Sequence, residues 1–364
     1  MSIDLFSPYR IHGLELRNRF MRSATFDGTA DSAGVVTEDS LAIYRELGRG
    51  GIGLIVSGFA FVSETGQAGV GQYGVHRDDM IPGLRRLAQE VHQEGGKIAL
   101  QIVHAGVNMH ANFLKQKGIT ARAVSPLPEL DRPHREMTEE DIEAIISDFV
   151  SASVRAAEAG LDAVQFHGAH GYLISQFLSP LFNQRTDKWG GGAENRRRFL
   201  VEVVRRTRQK LVSDFPLLIK LGVMDDREGG TSLQEGLETA RQIMDAGIDG
   251  IEVSTGVGTA PGAMKEGDPE RAYLRERAAA VKRIATVPVM MVGGIRSLAL
   301  AQDIVNSGDA DMISMSRPFI REPGLLMRWY TEDRRPAICV SCSRCLRRTG
   351  PFGCEQERRL AQLA

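Results

Sequence analysis

The chain has 364 residues, 42% of them apolar and 25% charged, with 45 basic against 46 acidic side chains and a net charge of −1. That composition supplies a full hydrophobic core and excludes a disordered chain. The even charge offers no basic field to nucleic acid or an anionic membrane, and no run approaches the roughly 20 apolar residues of a membrane span.

MSIDLFSPYR at the N-terminus lacks the basic-then-apolar form of a secretory leader, so the expectation is a cytoplasmic protein. RIHGLELRNR, at 10–19, reads as a hairpin turning near Gly13. From residue 20 onward strand-like and helix-like segments alternate. Runs at 20–25, 52–59, 97–103, 162–166, 217–221, 250–254, 287–292 and 311–316 are short, nearly continuous in apolar residues and rich in Val, Ile and Leu. Strands buried on both faces have that pattern. Helical periodicity fills 38–49, 78–94, 138–159, 194–212, 232–246, 270–284, 297–307 and 319–331. The clearest helix starts at Thr138, with Asp141 completing an approximate capping box. Ile142, Ile145, Phe149 and Ala156 mark one face of it, and Gly160 stands where a left-handed cap belongs.

Eight strands alternating with eight helices predict an α/β fold, a single (β/α)8 TIM barrel over residues 1–335. The hairpin 1–19 is an N-terminal plug, and 336–364 form a Cys-containing C-terminal tail. A doubly wound open sheet is the competing architecture, but it normally carries a Gly-rich dinucleotide fingerprint after its first strand, and RSATFDG is not one. The longest connections follow the third and fourth strands, at the catalytic end of such a barrel, where long ordered loops cover substrate pockets.

Barrel chemistry lies at the C-terminal strand ends. Here those ends carry Ser23 and Thr25, Ser57 and Gly58, Gln101 and His104, His167 and His170, Lys220, Ser254, Gly293 and Gly294, and Ser316 and Arg317. Polar groups there cost stability unless they have partners, so they suggest a site; the bland alternative is two satisfied loop histidines and a packed Tyr172. VGGI and SRP, after strands seven and eight, stand where barrels commonly bind phosphate; a Gly-Gly also serves an ordinary turn, and it is Arg317 in the next loop that favours the phosphate reading. Gln101, Thr25 and the positive Lys220 suit the pyrimidine edge of a flavin. Lys220 has two other readings, an ion pair inside the barrel and a Schiff-base nucleophile.

The four cysteines lie together as Cys339-x2-Cys342-x2-Cys345-x8-Cys354. Such spacing suits an iron–sulfur cluster or tetrahedral zinc, with uncommitted thiols in a tail as the alternative.

HGAHGYLISQFLSPLFNQRTDKWGG followed by AENRRRFL resembles the Old Yellow Enzyme family of FMN-dependent ene-reductases and NADH:flavin oxidoreductases. LFSPYRIHGLELRNRF, LQIVHAG, MVGGIRS and ISMSRPFIREP extend the resemblance over nearly the whole chain. It implies FMN on the barrel top, reduced by NAD(P)H and reoxidised by an electron-poor alkene. By position, His167 and His170 resemble the pair that binds a substrate carbonyl, nitro or phenolate oxygen, His167 also facing the flavin, and Tyr172 resembles the general acid. Ser23, Ala24, Thr25, Gly58, Gln101 and Lys220 match positions beside the flavin rings, and Gly293, Gly294, Ser316 and Arg317 the phosphate cradle.

There are departures. Lys220 stands where many members carry arginine, Gln165 replaces a common glutamate, Ser316 stands where glycine is usual, and Arg22 adds a charge beside the flavin-facing segment or points out of the barrel. The cysteine tail resembles the larger 2,4-dienoyl-CoA reductases and trimethylamine dehydrogenases, although its spacings are compressed. That likeness leaves an electron-transfer flavoprotein with a metal cluster as an alternative activity. Arg328 and Trp329 match a region that reaches a neighbouring subunit in some relatives, so a homo-oligomer is one expectation and the oligomeric state stays open.

Overall fold

A computed structural model describes residues 3–258, 267–331, 333–346, 350 and 352–363. Eight parallel strands form its centre: β1 (Phe20–Arg22), β2 (Leu54–Val56), β3 (Ile98–Val103), β4 (Ala163–Gly168), β5 (Leu217–Gly222), β6 (Gly250–Ser254), β7 (Val289–Val292) and β8 (Met312–Met315). Each pairs with the next, and β8 returns to β1 with Ile313 opposite Phe20, so the barrel closes without an edge. Outside lie α1 (Glu38–Arg49), α2 (Ile81–Gln93), α3 (Glu139–Glu158), α4 (Ala193–Lys210), α5 (Leu233–Asp245), α6 (Arg275–Lys282), α7 (Leu298–Asn306) and α8 (Leu325–Tyr330).

Local chemistry explains the boundaries. At the start of α3 the Asp141 N–H donates to the Thr138 hydroxyl at 3.3 Å, and the Thr138 N–H donates to the Asp141 carboxylate at 2.9 Å. Gly160 ends that helix at φ +82°. β2 stops at Val56 rather than 59 because the Ser57 hydroxyl replaces a ladder carbonyl. It accepts the Gln101 N–H at 3.1 Å and donates to the Gly58 carbonyl at 2.8 Å. The helical pattern at 319–331 divides at Pro323 and Gly324 into a short turn, Arg317–Arg321, and α8.

Alternate residues of each strand face inward, and they form layers. The lower layer is Met21, Leu54, Val56, Ala99, Ala163, Leu218, Met290 and Met312. Ile11, Leu14 and Leu16 pack into it from the hairpin in which Tyr9–Ile11 runs antiparallel to Leu14–Leu16, so the hairpin does plug the barrel bottom. Two residues further along the strands the next inward layer is polar: Ser23, Gln101, Gln165, Lys220, Glu252 and Ser314, all buried. Arg22, of opposite parity, leaves the barrel and lies buried against α1, its guanidinium 5.6 Å from the Tyr44 ring centre and donating to the Val56 carbonyl at 2.5 Å.

Trp329 is fully buried in its own chain, 6.0 Å from the Phe20 ring, and Arg328 is tied to Glu322 at 2.8 Å. Trp329 is thus committed to the core of its own chain, while the Arg328 side chain stays partly exposed beside it. Among the described residues no helix is long and apolar enough to cross a membrane.

Candidate active site

At the C-terminal end of the strands a cavity of about 490 Å³ opens above the polar layer. Ser23, Ala24, Thr25, Gln101, His167, His170, Tyr172, Lys220, Gly293, Gly294, Ser316 and Arg317 all line it. Residues as far apart in the sequence as Ser23 and Arg317 are therefore brought to one place by strand ends. Gly58 is not among them: its N–H donates to the Tyr44 hydroxyl at 2.6 Å, and its open side faces Asp27 and Tyr73. His104 is also set apart, a buried loop histidine that accepts the Gly106 N–H at 3.0 Å.

The β4 end supplies the densest chemistry. His167 is the next inward residue after Gln165. His170 follows in the left-handed region at φ +60°, a conformation that costs a non-glycine residue of order 1 kcal/mol and is held here from outside. β6 does the holding: the His170 N–H donates to the Thr255 carbonyl at 3.1 Å, and Nε2 lies 2.8 Å from the Ser254 hydroxyl. The two imidazoles are 5.1 Å apart and nearly perpendicular, and Tyr172 is 4.8 Å from His167.

Burial, then the positive charge of Lys220, lowers His170 to about 3. Burial, His170 and Lys220 push His167 down as well. Both imidazoles are thus neutral and able to donate one hydrogen bond each. Among the described residues, Nδ1 of His167 is buried without a hydrogen-bond partner. Burial raises Tyr172 to about 12, so its phenol keeps its proton.

The polar layer beneath contains a residue that strand-end reasoning missed. Glu252, mid-strand in β6, is fully buried and lies in register beside Lys220, with Nζ 2.9 Å from its carboxylate. The ion-pair reading of Lys220 is therefore met, and Lys220 faces the cavity as well. A Schiff-base lysine needs a neutral amine, and this pairing with a carboxylate opposes one. Phe26 and Phe59 were also missed. They stack at 5.4 Å, and Phe59 lies 5.5 Å from Tyr172, forming an aromatic wall. Their signal in the sequence, aromatics just beyond a strand end, is shared with ordinary core residues.

The other end of the cavity is built from backbone. Gly293 and Gly294 take φ +113° and +78°, and a Cβ on Gly293 would stand 2.7 Å from the Tyr273 ring. Such glycine turns entering a helix form anion-binding sites. Ser316 clears the space by turning its hydroxyl to Thr25 Oγ1 at 2.8 Å. Arg317 lines the cavity and also donates to the Ser341 carbonyl at 3.1 Å and the Ser343 hydroxyl at 2.8 Å, which draws the C-terminal tail over the site.

The long connection after β3 lines none of this cavity, contrary to its expected role as a cover. It folds as a helix, Ala111–Lys117, and two short paired strands. Its Met109, Phe113 and Leu114 form an apolar cluster on which Phe59 and Tyr172 rest, so it backs the wall instead.

Cys339, Cys342, Cys345 and Cys354 share a second, small cavity with Arg317 and Arg321, and none is in a disulfide. Among the described residues, no three His, Cys, Asp or Glu side chains are arranged to hold a metal ion.

A closed parallel barrel whose strand ends join paired histidines, a tyrosine, a buried cation and a positive-φ glycine turn suits an oxidoreductase of the flavin type. The chain belongs to the NADH:flavin oxidoreductase / NADH oxidase family, whose model matches residues 4–334. It is 35% identical over 351 residues to an NADH oxidase of Thermoanaerobacter brockii, covering 93% of this chain and 53% of that protein. It is 34% identical over 324 residues to an NADPH dehydrogenase of Geobacillus sp. (strain WCH70), covering 89% of this chain and 92% of that one. Among solved structures, a 2-naphthoyl-CoA reductase in complex with 2-naphthoyl-CoA aligns with a TM-score of 0.85 at 31% identity, covering 96% of this chain and 54% of that one. The chain therefore spans about half the length of the longer relatives and nearly all of the shorter ones. An Old Yellow Enzyme homologue shares the fold, in agreement with the resemblance read from the sequence.

Proposed function

We propose that this chain binds FMN in the strand-end cavity and uses NAD(P)H to reduce activated C=C bonds, those of α,β-unsaturated carbonyl or nitro compounds. FMN, when bound, accepts two electrons from the nicotinamide and passes hydride to the alkene. The residues present fit that group: Gly293, Gly294, Ser316 and Arg317 would hold its phosphate, and Ala24, Thr25, Gln101 and Lys220 its ring edge.

One observation carries the reading. His167 and His170, both neutral, face the same cavity as the glycine turn and Arg317, and a buried nitrogen of His167 has no partner among the described residues. Two neutral donors converging on one oxygen bind a carbonyl and stabilise the negative charge that builds on it as the double bond is attacked. Tyr172 keeps its proton over the working pH range and delivers it to the other carbon. Phe26 and Phe59 exclude water from one side.

Replacing both histidines with alanine is expected to abolish the long-wavelength absorbance that a para-substituted phenol gives with bound FMN, while FMN content stays at the wild-type level. Retention of that absorbance in the double variant overturns the assignment. For the tail, four cysteines around one cavity support an iron–sulfur cluster or zinc whose binding draws the sulfurs inward. Iron and acid-labile sulfide in anaerobically purified protein, zinc alone, or neither, decides between cluster, zinc and uncommitted thiols.

A further inference from the structure

The ion pair inside the barrel does more than fill space. Oε1 of Glu252 accepts from Lys220 Nζ at 2.9 Å, Ser23 Oγ at 2.7 Å and Ser314 Oγ at 2.8 Å, and Oε2 accepts from Gln165 Nε2 at 2.9 Å. Gln165 in turn accepts from Gln101 at 2.7 Å. Lys220 also donates to Ser23 at 2.6 Å, so two of its three Nζ protons are taken and one remains for the cavity. Lys220, Ser23 and Ser314 line the cavity, whereas Glu252 lies behind them and touches nothing in it.

Burial works against a charged Glu252, but the Lys220 charge and the donors Lys220, Ser23 and Ser314 outweigh it and keep the carboxylate below its usual range. A buried ion pair is seldom more stabilising than an apolar pair of the same volume. Stability therefore does not account for an acid in this layer; its effect on the cavity does. An unbalanced cation under the floor of a flavin site favours the electron-rich reduced flavin, and a carboxylate 2.9 Å behind that cation opposes it.

We propose that Glu252 is a positioning residue that sets the redox poise of the site: it fixes the direction of the Lys220 ammonium and cancels much of its field, holding bound FMN at a lower potential than Lys220 alone would. This inference rests on the reading of the cavity as an FMN site.

The test is the FMN midpoint potential, by dye equilibration, together with the affinity for sulfite, whose flavin adduct is favoured by positive charge nearby. Glu252→Gln keeps the shape and removes the charge. It is expected to shift the oxidised–reduced equilibrium about tenfold toward reduced FMN, equal to about 30 mV for a two-electron couple, and to tighten sulfite about tenfold. Lys220→Met, which removes the cation, should move both readouts the other way. If Glu252→Gln does not fold, Glu252→Asp, whose shorter side chain draws the carboxylate back from Lys220 Nζ, carries the test and should shift both readouts in the same direction as Glu252→Gln by a smaller amount. Unchanged potential and sulfite affinity in FMN-loaded variants overturn the inference and leave the cavity reading intact. A wild-type chain that takes up no FMN overturns both.

Discussion

At the level of single residues, this site depends on groups whose neutral forms burial extends over a wider pH range than usual. Burial keeps the phenol of Tyr172 protonated up to about 12, and it keeps His170 neutral down to about 3. A general acid contributes roughly 10²–10⁴-fold to a step it serves. Tyr172→Phe is therefore expected to slow alkene reduction by about that factor while NAD(P)H reduces FMN at the wild-type rate, with stopped-flow absorbance separating the two half-reactions. Equal loss in both assigns Tyr172 to the packing of Phe59 and His167 instead. Glu252 belongs to this scale too. Its signal in the sequence is a carboxylate between Ile251 and Val253 in the strand GIEVS, at the same parity as Ser254. Attention to strand ends passed over it, because its partner Lys220 comes from the neighbouring strand and only register brings them together.

At the level of elements, strands buried on both faces were legible because their apolar residues are nearly continuous, with single polar side chains only from mid-strand onward, and the capped α3 because its box, face and terminal glycine agree. What the sequence did not carry was where a polar side chain replaces backbone, as at Ser57, or which connection supplies the wall. The connection after β3 has the length of a lid yet packs behind Tyr172, since its apolar residues find Phe59 there. The glycine turn after β7 is the element on which cofactor retention depends. Gly293→Ala puts a methyl against the Tyr273 ring and an L-residue at φ +113°. The variant should purify folded, by circular dichroism, with most of its FMN lost. Wild-type flavin content would remove the phosphate from this turn.

At the level of the molecule, the plug and the polar layer divide the barrel into a lower part that stabilises and an upper part that binds. The division has a pH signature. His104, His167 and His170 are neutral in the folded chain well below the ordinary imidazole value near 6.5. Between about pH 6.5 and 3 the unfolded chain binds protons at these positions that the folded chain refuses, so stability falls as pH drops through that window. Melting temperature should decline steadily from pH 7 to 4.5, and replacing His104 with Gln should flatten part of the decline. A flat profile over that range contradicts the burial of these rings as neutral groups.

A cavity that binds FMN and reduces activated alkenes has its clearest signature in the absorption spectrum of protein purified without oxygen. Flavin bands are expected that bleach on addition of NADH or NADPH and return on addition of cyclohexenone. Protein that remains colourless after incubation with FMN, or flavin that bleaches and is not reoxidised by the enone, contradicts that assignment.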